Sequence, residues 1–283
     1  MSSPDVVRLL RRFIPSTALL SHSAAFGVLS RGVDLVALPA WRLVTPQRLP
    51  PLRYIVRTGV GNNVLFPHYY YLTAGADLWT FILGNGYATL DSTIVDIGSG
   101  IGKAALTLRD FDYLGNRFTG QYYGFDVDEE MVEWCAQAFP SDRFHFEYVD
   151  AGSSVYNPDG SPIPPALTVA DGTADLVIAQ SLLSHLLEDD VVHYVREAHR
   201  MLSPGSRMMA TIFCLDDLEE QGNLGGRWTF GHRVGAAHVE NPRFPESAVA
   251  YSRAWMVGAA REAGFSQAEV LAASYHSILL CTK

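Results

Sequence analysis

From Thr93 to the C-terminus, short apolar runs closed by acids or glycines alternate with longer stretches whose apolar positions recur three and four residues apart. Runs of the first kind read as buried strands and stretches of the second kind as amphipathic helices. The pattern predicts strands at Thr93–Ile97, Gln121–Phe125, Arg143–Val149, Asp175–Ala179 and Arg207–Phe213, with two more near Ala268–Ala272 and His276–Cys281. Helices are predicted from Gly102 to Phe111 and from Asp128 to Phe139, the second capped by its own acids and stopped by Pro140. A third runs from Glu188 to Leu202. There Val191, Val195, Ala198 and Leu202 form one stripe, and Asp190, His193, Glu197 and Arg200 are expected to face water. A last helix is predicted from Glu246 to Ala263, ended by Gly264. Strands alternating with helices imply a doubly wound α/β fold, a mostly parallel sheet with helices on both faces.

The first 85 residues lack this alternation and read as a helical extension and substrate cover in front of a core at 86–283. Apolar residues from Thr17 to Leu38 are interrupted by Ser21, His22, Ser23, Gly27, Arg31 and Asp34. They never reach the roughly 18 uninterrupted apolar residues of a membrane-spanning helix. One or two helices packed on the core is the plain reading. A transit peptide, or a helix lying on an anionic membrane, are the alternatives for residues 1–38. Pro39, Pro46, Pro50 and Pro51 predict an extended connector. The segment 61–83 is dense in rings (Phe66, His68, Tyr69, Tyr70, Tyr71, Trp79, Phe81), which reads as core packing or as a pocket cover. Residues 215–245 form a long insertion, a second candidate cover.

Composition narrows the setting. With 283 residues, 48% hydrophobic and 18% charged, the chain suits one large globular domain with an appendage. Cys135, Cys214 and Cys281 are scattered, which argues for a reducing, cytoplasmic compartment and against a disulfide framework. No cysteine or histidine spacing suggests a metal site. Residues 1–60 carry eight arginines against Asp5 and Asp34, so the remainder of a chain of net charge −9 is strongly acidic. An acidic body disfavours a nucleic-acid partner and leaves a small molecule as the expected substrate.

The chemistry concentrates at Ile94 to Gly102, where an apolar run enters the glycine series Gly98, Gly100, Gly102. Glycines there permit a tight turn and close approach of a ligand to the backbone, and the helix start beyond them favours an anionic group. A dinucleotide fingerprint needs a glycine where Lys103 stands. Asp96, Asp126 and Asp150 fall at or beside the ends of successive strands, where ligands of open α/β sheets bind. Three such acids in order point to a nucleoside site.

Asp96-x-Gly98-x-Gly100-x-Gly102 resembles motif I of the class I S-adenosylmethionine (SAM) dependent methyltransferases, and Arg200-Met-Leu-Ser-Pro-Gly-Ser-Arg207 is similar to the turn before that family's fifth strand. The resemblance covers about Asp91 to Lys283 and implies a seven-stranded sheet with an antiparallel last strand, its final pair joined through Ala273-Ser-Tyr275. It implies that Gly98, Ser99, Gly100 and Gly102 cradle the methionine and ribose parts of SAM and that Asp126 holds the ribose hydroxyls. Asp150 and Ala151 would meet the adenine, Val127 and Met131 would pack on it, and Gln180 would lie along the methionine. Ser181 to His185 resembles an S-x-x-x-H stretch of small-molecule methyltransferases, which makes His185 the candidate base; His232 and His238 read as surface or packing residues. Ala179-Gln180-Ser181-Leu182 lacks the Asn/Asp-Pro-Pro-aromatic signature of amine-directed members. The expectation is methyl transfer to a hydroxyl of a small natural product or sugar-derived metabolite, yielding S-adenosylhomocysteine (SAH). Methylation of protein or RNA, and a SAM-binding partner subunit without activity, are the alternatives.

Overall fold

The computed structural model describes residues 24–58, 67–224, 228–273 and 276–283. Expectations for residues 1–23, for Phe66 and for the turn at 274–275 lie outside them. Among the described residues three helices come first: α1 (Ala24–Trp41), α2 (Leu52–Arg57) and α3 (Pro67–Gly84). The core follows as β1 (Thr93–Ile97), α4 (Lys103–Asp110), β2 (Gln121–Asp126), α5 (Glu129–Ala138), β3 (Phe144–Tyr148), β4 (Ala174–Ala179), α6 (Glu188–Met201) and β5 (Leu202–Cys214). A short helix α7 (Leu215–Glu220) leads to β6 (His232–Val234), β7 (Ala237–Val239) and β8 (Val249–Tyr251). The chain ends with α8 (Arg253–Glu262), β9 (Gln267–Leu271) and β10 (Ser277–Thr282).

The main sheet has the order β3-β2-β1-β4-β5-β10-β9. Neighbours from β3 to β5 are parallel, and β10 runs antiparallel to both β5 and β9, as the sequence implied. Strand order reverses between β1 and β4, so the crevice at their carboxyl ends is where a ligand belongs. Alternate residues of β1 face two cores. Val95 and Ile97 pack toward α6 and α8 with Val191, Val195 and Met256. Ile94 packs toward α3, α4 and α5 with Tyr71, Trp79, Ala105 and Trp134. The period of two along a strand buried on both faces produces this division. α3 is thus a full layer of the sandwich: Tyr71, Trp79 and Ile82 are buried, and Trp79 Nε1 donates to Ala104 O at 2.8 Å.

Four details depart from the sequence reading. α1 continues through Pro39 to Trp41, because Pro39 lies on an exposed side where water serves the carbonyl a proline leaves unbonded. Glu197 is buried, not solvated; it accepts from Leu167 N at 2.8 Å and pairs with Arg200 at 2.8 Å. Asp190 is half-buried and faces a pocket. The helix expected from Glu246 is split. Val249–Tyr251 pairs with Phe213 and Cys214 of β5, and α8 begins only after Ser252, whose side chain accepts from Trp255 N at 3.2 Å. Backbone pairing with a buried strand overrides the local helical pattern there.

Candidate active site

At the carboxyl ends of β1, β2 and β4 lies a cavity of about 1180 Å³, its mouth included. Its two ends differ in construction.

The donor end is made mostly of backbone. Gly98, Gly100 and Gly102 have φ of 79°, 53° and 70°, all in the left-handed region that other residues avoid. A Cβ on Gly102 would sit 2.9 Å from the Phe139 ring, so space as well as φ demands glycine. Asp126 organises the turn: its carboxylate accepts from Gly100 N at 2.7 Å and Asp128 N at 2.9 Å. Burial pushes its pKa up to about 6, against the pull of those N–H donors. Each carboxylate oxygen keeps a second lone pair for an incoming hydroxyl. Asp96 is buried beneath the loop, hydrogen-bonded by Tyr122 Oη, and burial pushes its pKa up to about 7. Burial pushes Lys103 beside it down to about 8.

α2 closes this end. Arg57 and Asp128 are both buried and pair at 2.8 Å, while Arg57 also reaches Glu130 at 2.8 Å. Asp128 in turn caps α5, accepting from Met131 N at 3.2 Å. Arg57 and Thr58 therefore line the cavity, with Val127, Met131, Ala151 and Gln180. Asp150 does not. The strand stops at Tyr148, Val149 turns inward, and the exposed Asp150 carboxylate accepts from Ser161 N at 3.1 Å.

The acceptor end is made of side chains from distant segments. His185 sits in the turn Leu183–His185 just past β4. Its Nδ1 lies 2.9 Å from Glu246 O. A carbonyl only accepts, so Nδ1 carries the proton and Nε2 keeps its lone pair. Burial pulls the imidazole pKa below its ordinary value, with the Glu246 carbonyl opposing, which keeps the ring neutral. The Glu246 side chain accepts from Ser153 Oγ at 2.7 Å and Ser154 N at 2.6 Å, tying down the loop that brings Tyr156 edge-on to His185 at 5.5 Å. Asp190 and Tyr194, one turn apart on α6, complete the lining. Burial raises the Asp190 pKa, with Glu246 and Asp189 adding to it, and holds the Tyr156 and Tyr194 hydroxyls well above their usual range. Among the described residues of 215–245 none lines the cavity; His232 is exposed, and His238 Nδ1 contacts Phe230 O at 3.3 Å.

The donor end fits the amino-acid and nucleoside parts of SAM. Asp96 Oδ1 and Ser99 Oγ are buried without a protein partner, suited to an ammonium and a carboxylate, and the glycine cradle has no Cβ to obstruct the backbone. No group of three or more His, Cys, Asp and Glu that would hold a metal occurs among the described residues.

Comparison with known proteins agrees. Residues 95–210, which run from β1 into β5, match a family described as a methyltransferase domain. Over that segment the chain carries a methyltransferase domain. The chain is 28% identical over 131 residues to a probable chloroplastic tocopherol O-methyltransferase of Oryza sativa subsp. japonica. The match covers 45% of this chain and spans 30% of the length of that relative. Among solved structures it is similar to a SAM-dependent methyltransferase of Methanosarcina mazei, with 16% identity, a TM-score of 0.48, and coverage of 71% of this chain and 96% of that one. Another is magnesium protoporphyrin IX methyltransferase of Synechocystis PCC 6803 with bound SAH, at 14% identity and a TM-score of 0.47, covering 91% and 99%.

Sequence reasoning missed Arg57, Thr58, Tyr156, Asp190 and Tyr194. Asp190 and Tyr194 had a signal: four apart on α6, they adjoin the buried stripe. Tyr156 had none, since nothing local marks which loop residue turns inward.

Proposed function

We propose that this chain transfers the methyl group of SAM to a hydroxyl of a small, largely apolar molecule, with His185 Nε2 as general base. The observation that carries this reading is the Nδ1 contact to Glu246 O, which directs the basic nitrogen of a neutral imidazole into the cavity lined by the glycine loop. When bound, SAM supplies a sulfonium-activated methyl group. The chain's own residues do the rest. Asp126 and the loop hold the nucleoside and amino-acid parts, while Arg57 and Thr58 wall off water. The His185 Nε2 accepts the acceptor's proton as its oxygen becomes nucleophilic. Asp190, whose raised pKa leaves it protonated over a wider range, and Tyr194 offer hydrogen bonds to the acceptor's polar end.

Residues 24–58 supply part of the cover, through α2. The relative from rice is named for O-methylation and matches 131 residues of the chain, which supports the oxygen acceptor. Incubation with methyl-labelled SAM and matched phenol, alcohol and amine panels tests the reading. Label is expected in O-methyl ethers and absent from N-methyl products. SAH binding by calorimetry without turnover of any panel member would favour a partner subunit instead.

A further inference from the structure

α1 is built inside out. At about 100° per residue, Val28, Leu29, Leu35 and Val36 fall on one face, and they are 71%, 67%, 78% and 74% exposed. Gly32, Pro39 and Ala40 on or beside the same arc are also exposed. The inward face carries polar groups. Ser30 is buried and donates to Gly27 O at 3.1 Å, and the Asp34 carboxylate accepts from Leu52 N at 2.9 Å and 3.2 Å. Trp41 and Leu38 on that inner side pack against the core. A helix on a water-facing surface shows the reverse arrangement. Isolated exposed apolar side chains are ordinary, but a continuous stripe over three turns marks an interaction surface. The helix cannot roll to hide it without breaking the Asp34 bonds to α2.

Charge identifies the partner. Arg31 and Arg42 are exposed along one edge of the stripe, and the single acid of 24–48, Asp34, is turned inward. The preceding 23 residues add Arg8, Arg11 and Arg12 against Asp5. We propose that the outward face of α1 docks on an anionic lipid bilayer. The helix lies in the plane of the interface, its apolar stripe at the level of the acyl chains and its arginines among the lipid phosphates. No helix among the described residues is long and apolar enough to cross a membrane. Pairing of two copies through this stripe would join two arginine-edged patches and two chains of net charge −9, with no opposite charge in either patch.

Co-sedimentation of the full chain with vesicles tests this. Binding to phosphatidylcholine vesicles containing one part in three phosphatidylglycerol is expected to exceed binding to phosphatidylcholine alone by at least about 25-fold, since each of two arginines contributes about fivefold. Leu35→Glu with Val36→Glu should abolish binding to both. Arg31→Gln with Arg42→Gln should remove the preference for anionic vesicles. SAH affinity by calorimetry should stay unchanged in both pairs, and a pair that loses it is set aside as misfolded, leaving the other to decide. Equal recovery of the wild type in the supernatant with and without anionic vesicles overturns the proposal. So does a dimer in light scattering that the Glu pair dissociates, which gives the stripe to a second copy. Binding that appears only after deletion of residues 1–23 overturns it too, by placing that segment on the stripe.

Discussion

The donor and acceptor ends of the cavity solve the same problem with different materials. The donor end is lined by a cradle of three left-handed glycines, braced by Asp126 and the Arg57–Asp128 pair. The acceptor end is lined by His185, Tyr156, Asp190 and Tyr194, side chains that Glu246 helps to gather from more than 60 residues away. A backbone site accepts one ligand and holds it rigidly. A side-chain site can change its specificity by substitution without disturbing the first. The two ends should therefore fail separately.

The largest expected separation comes from His185. Replacing it with alanine should lower kcat by about 10²–10⁴ while SAH affinity stays within about twofold. The pH dependence has a definite sign. Only the neutral ring is a base, and burial places its pKa below the ordinary histidine value. Wild-type kcat should thus be flat from neutral pH upward and fall as pH drops through a value below about 6.5. The variant should lack that fall. Equal losses of rate and SAH binding would merge the two ends and make His185 structural.

Next is Arg57, which belongs to the donor end although it lies in the N-terminal helices. Arg57→Ala leaves Asp128 buried without its cation, a loss of about 3–5 kcal/mol. The denaturant midpoint should drop accordingly, and SAH affinity with it, because Asp128 also caps α5 over the loop. An unchanged midpoint would mean that α2 is not part of the donor end.

Asp126 should come third. Asp126→Ala removes the acceptor for two ligand hydroxyls, about 2–3 kcal/mol or some 30- to 150-fold in SAH affinity. It also releases Gly100 N and Asp128 N from their partner. With its pKa raised to about 6 by burial, the carboxylate is ionised above that pH. SAH affinity should therefore hold at neutral pH and weaken as pH falls through 6. Asp126→Asn should bind more weakly and lose this pH dependence in calorimetry.

The same contrast explains how much of the molecule its sequence disclosed. The sheet, its strand ends and the glycine loop were legible because backbone geometry imposes spacing: only glycine serves at φ of 79°, 53° and 70°, and strands buried on both faces read as apolar runs. His185 was legible as a lining residue because it lies in the turn just past β4. Tyr156 and Glu246 were not, since their positions depend on a loop and a segment that meet only in three dimensions. β8 was hidden for a similar reason. Val249-Ala-Tyr251 has no strand signature of its own and pairs because β5 extends far enough to receive it. Asp34 was read as an interruption of an apolar stretch, and with Ser30 it turns out to belong to its inward face.

Asp150 gives the smallest and sharpest test, because sequence and geometry disagree about it. Its place after the third strand assigns it to the adenine, as an acceptor for the amino group. The structure turns it outward, where its carboxylate accepts from Ser161 N at 3.1 Å and Tyr148 Oη at 3.4 Å. An exposed carboxylate holding one short and one long hydrogen bond contributes little, on the order of 0.5–1.5 kcal/mol to the loop and nothing to a ligand it does not face. Asp150→Ala should therefore change SAH affinity by less than about threefold and leave kcat almost unaltered, with a slight rise in proteolytic cutting within 152–165. Ala151, which does line the cavity and is buried, should respond differently: Ala151→Leu would fill space in the cavity that Val127 and Met131 also line and weaken SAH binding by about 5- to 150-fold, since overpacking costs about 1–3 kcal/mol. If Asp150→Ala instead loses tenfold in SAH affinity, the loop after β3 must rearrange when the nucleoside enters. The donor end would then rely on a side chain from a movable loop, and its contrast with the acceptor end would narrow to the glycine turn and Asp126 alone.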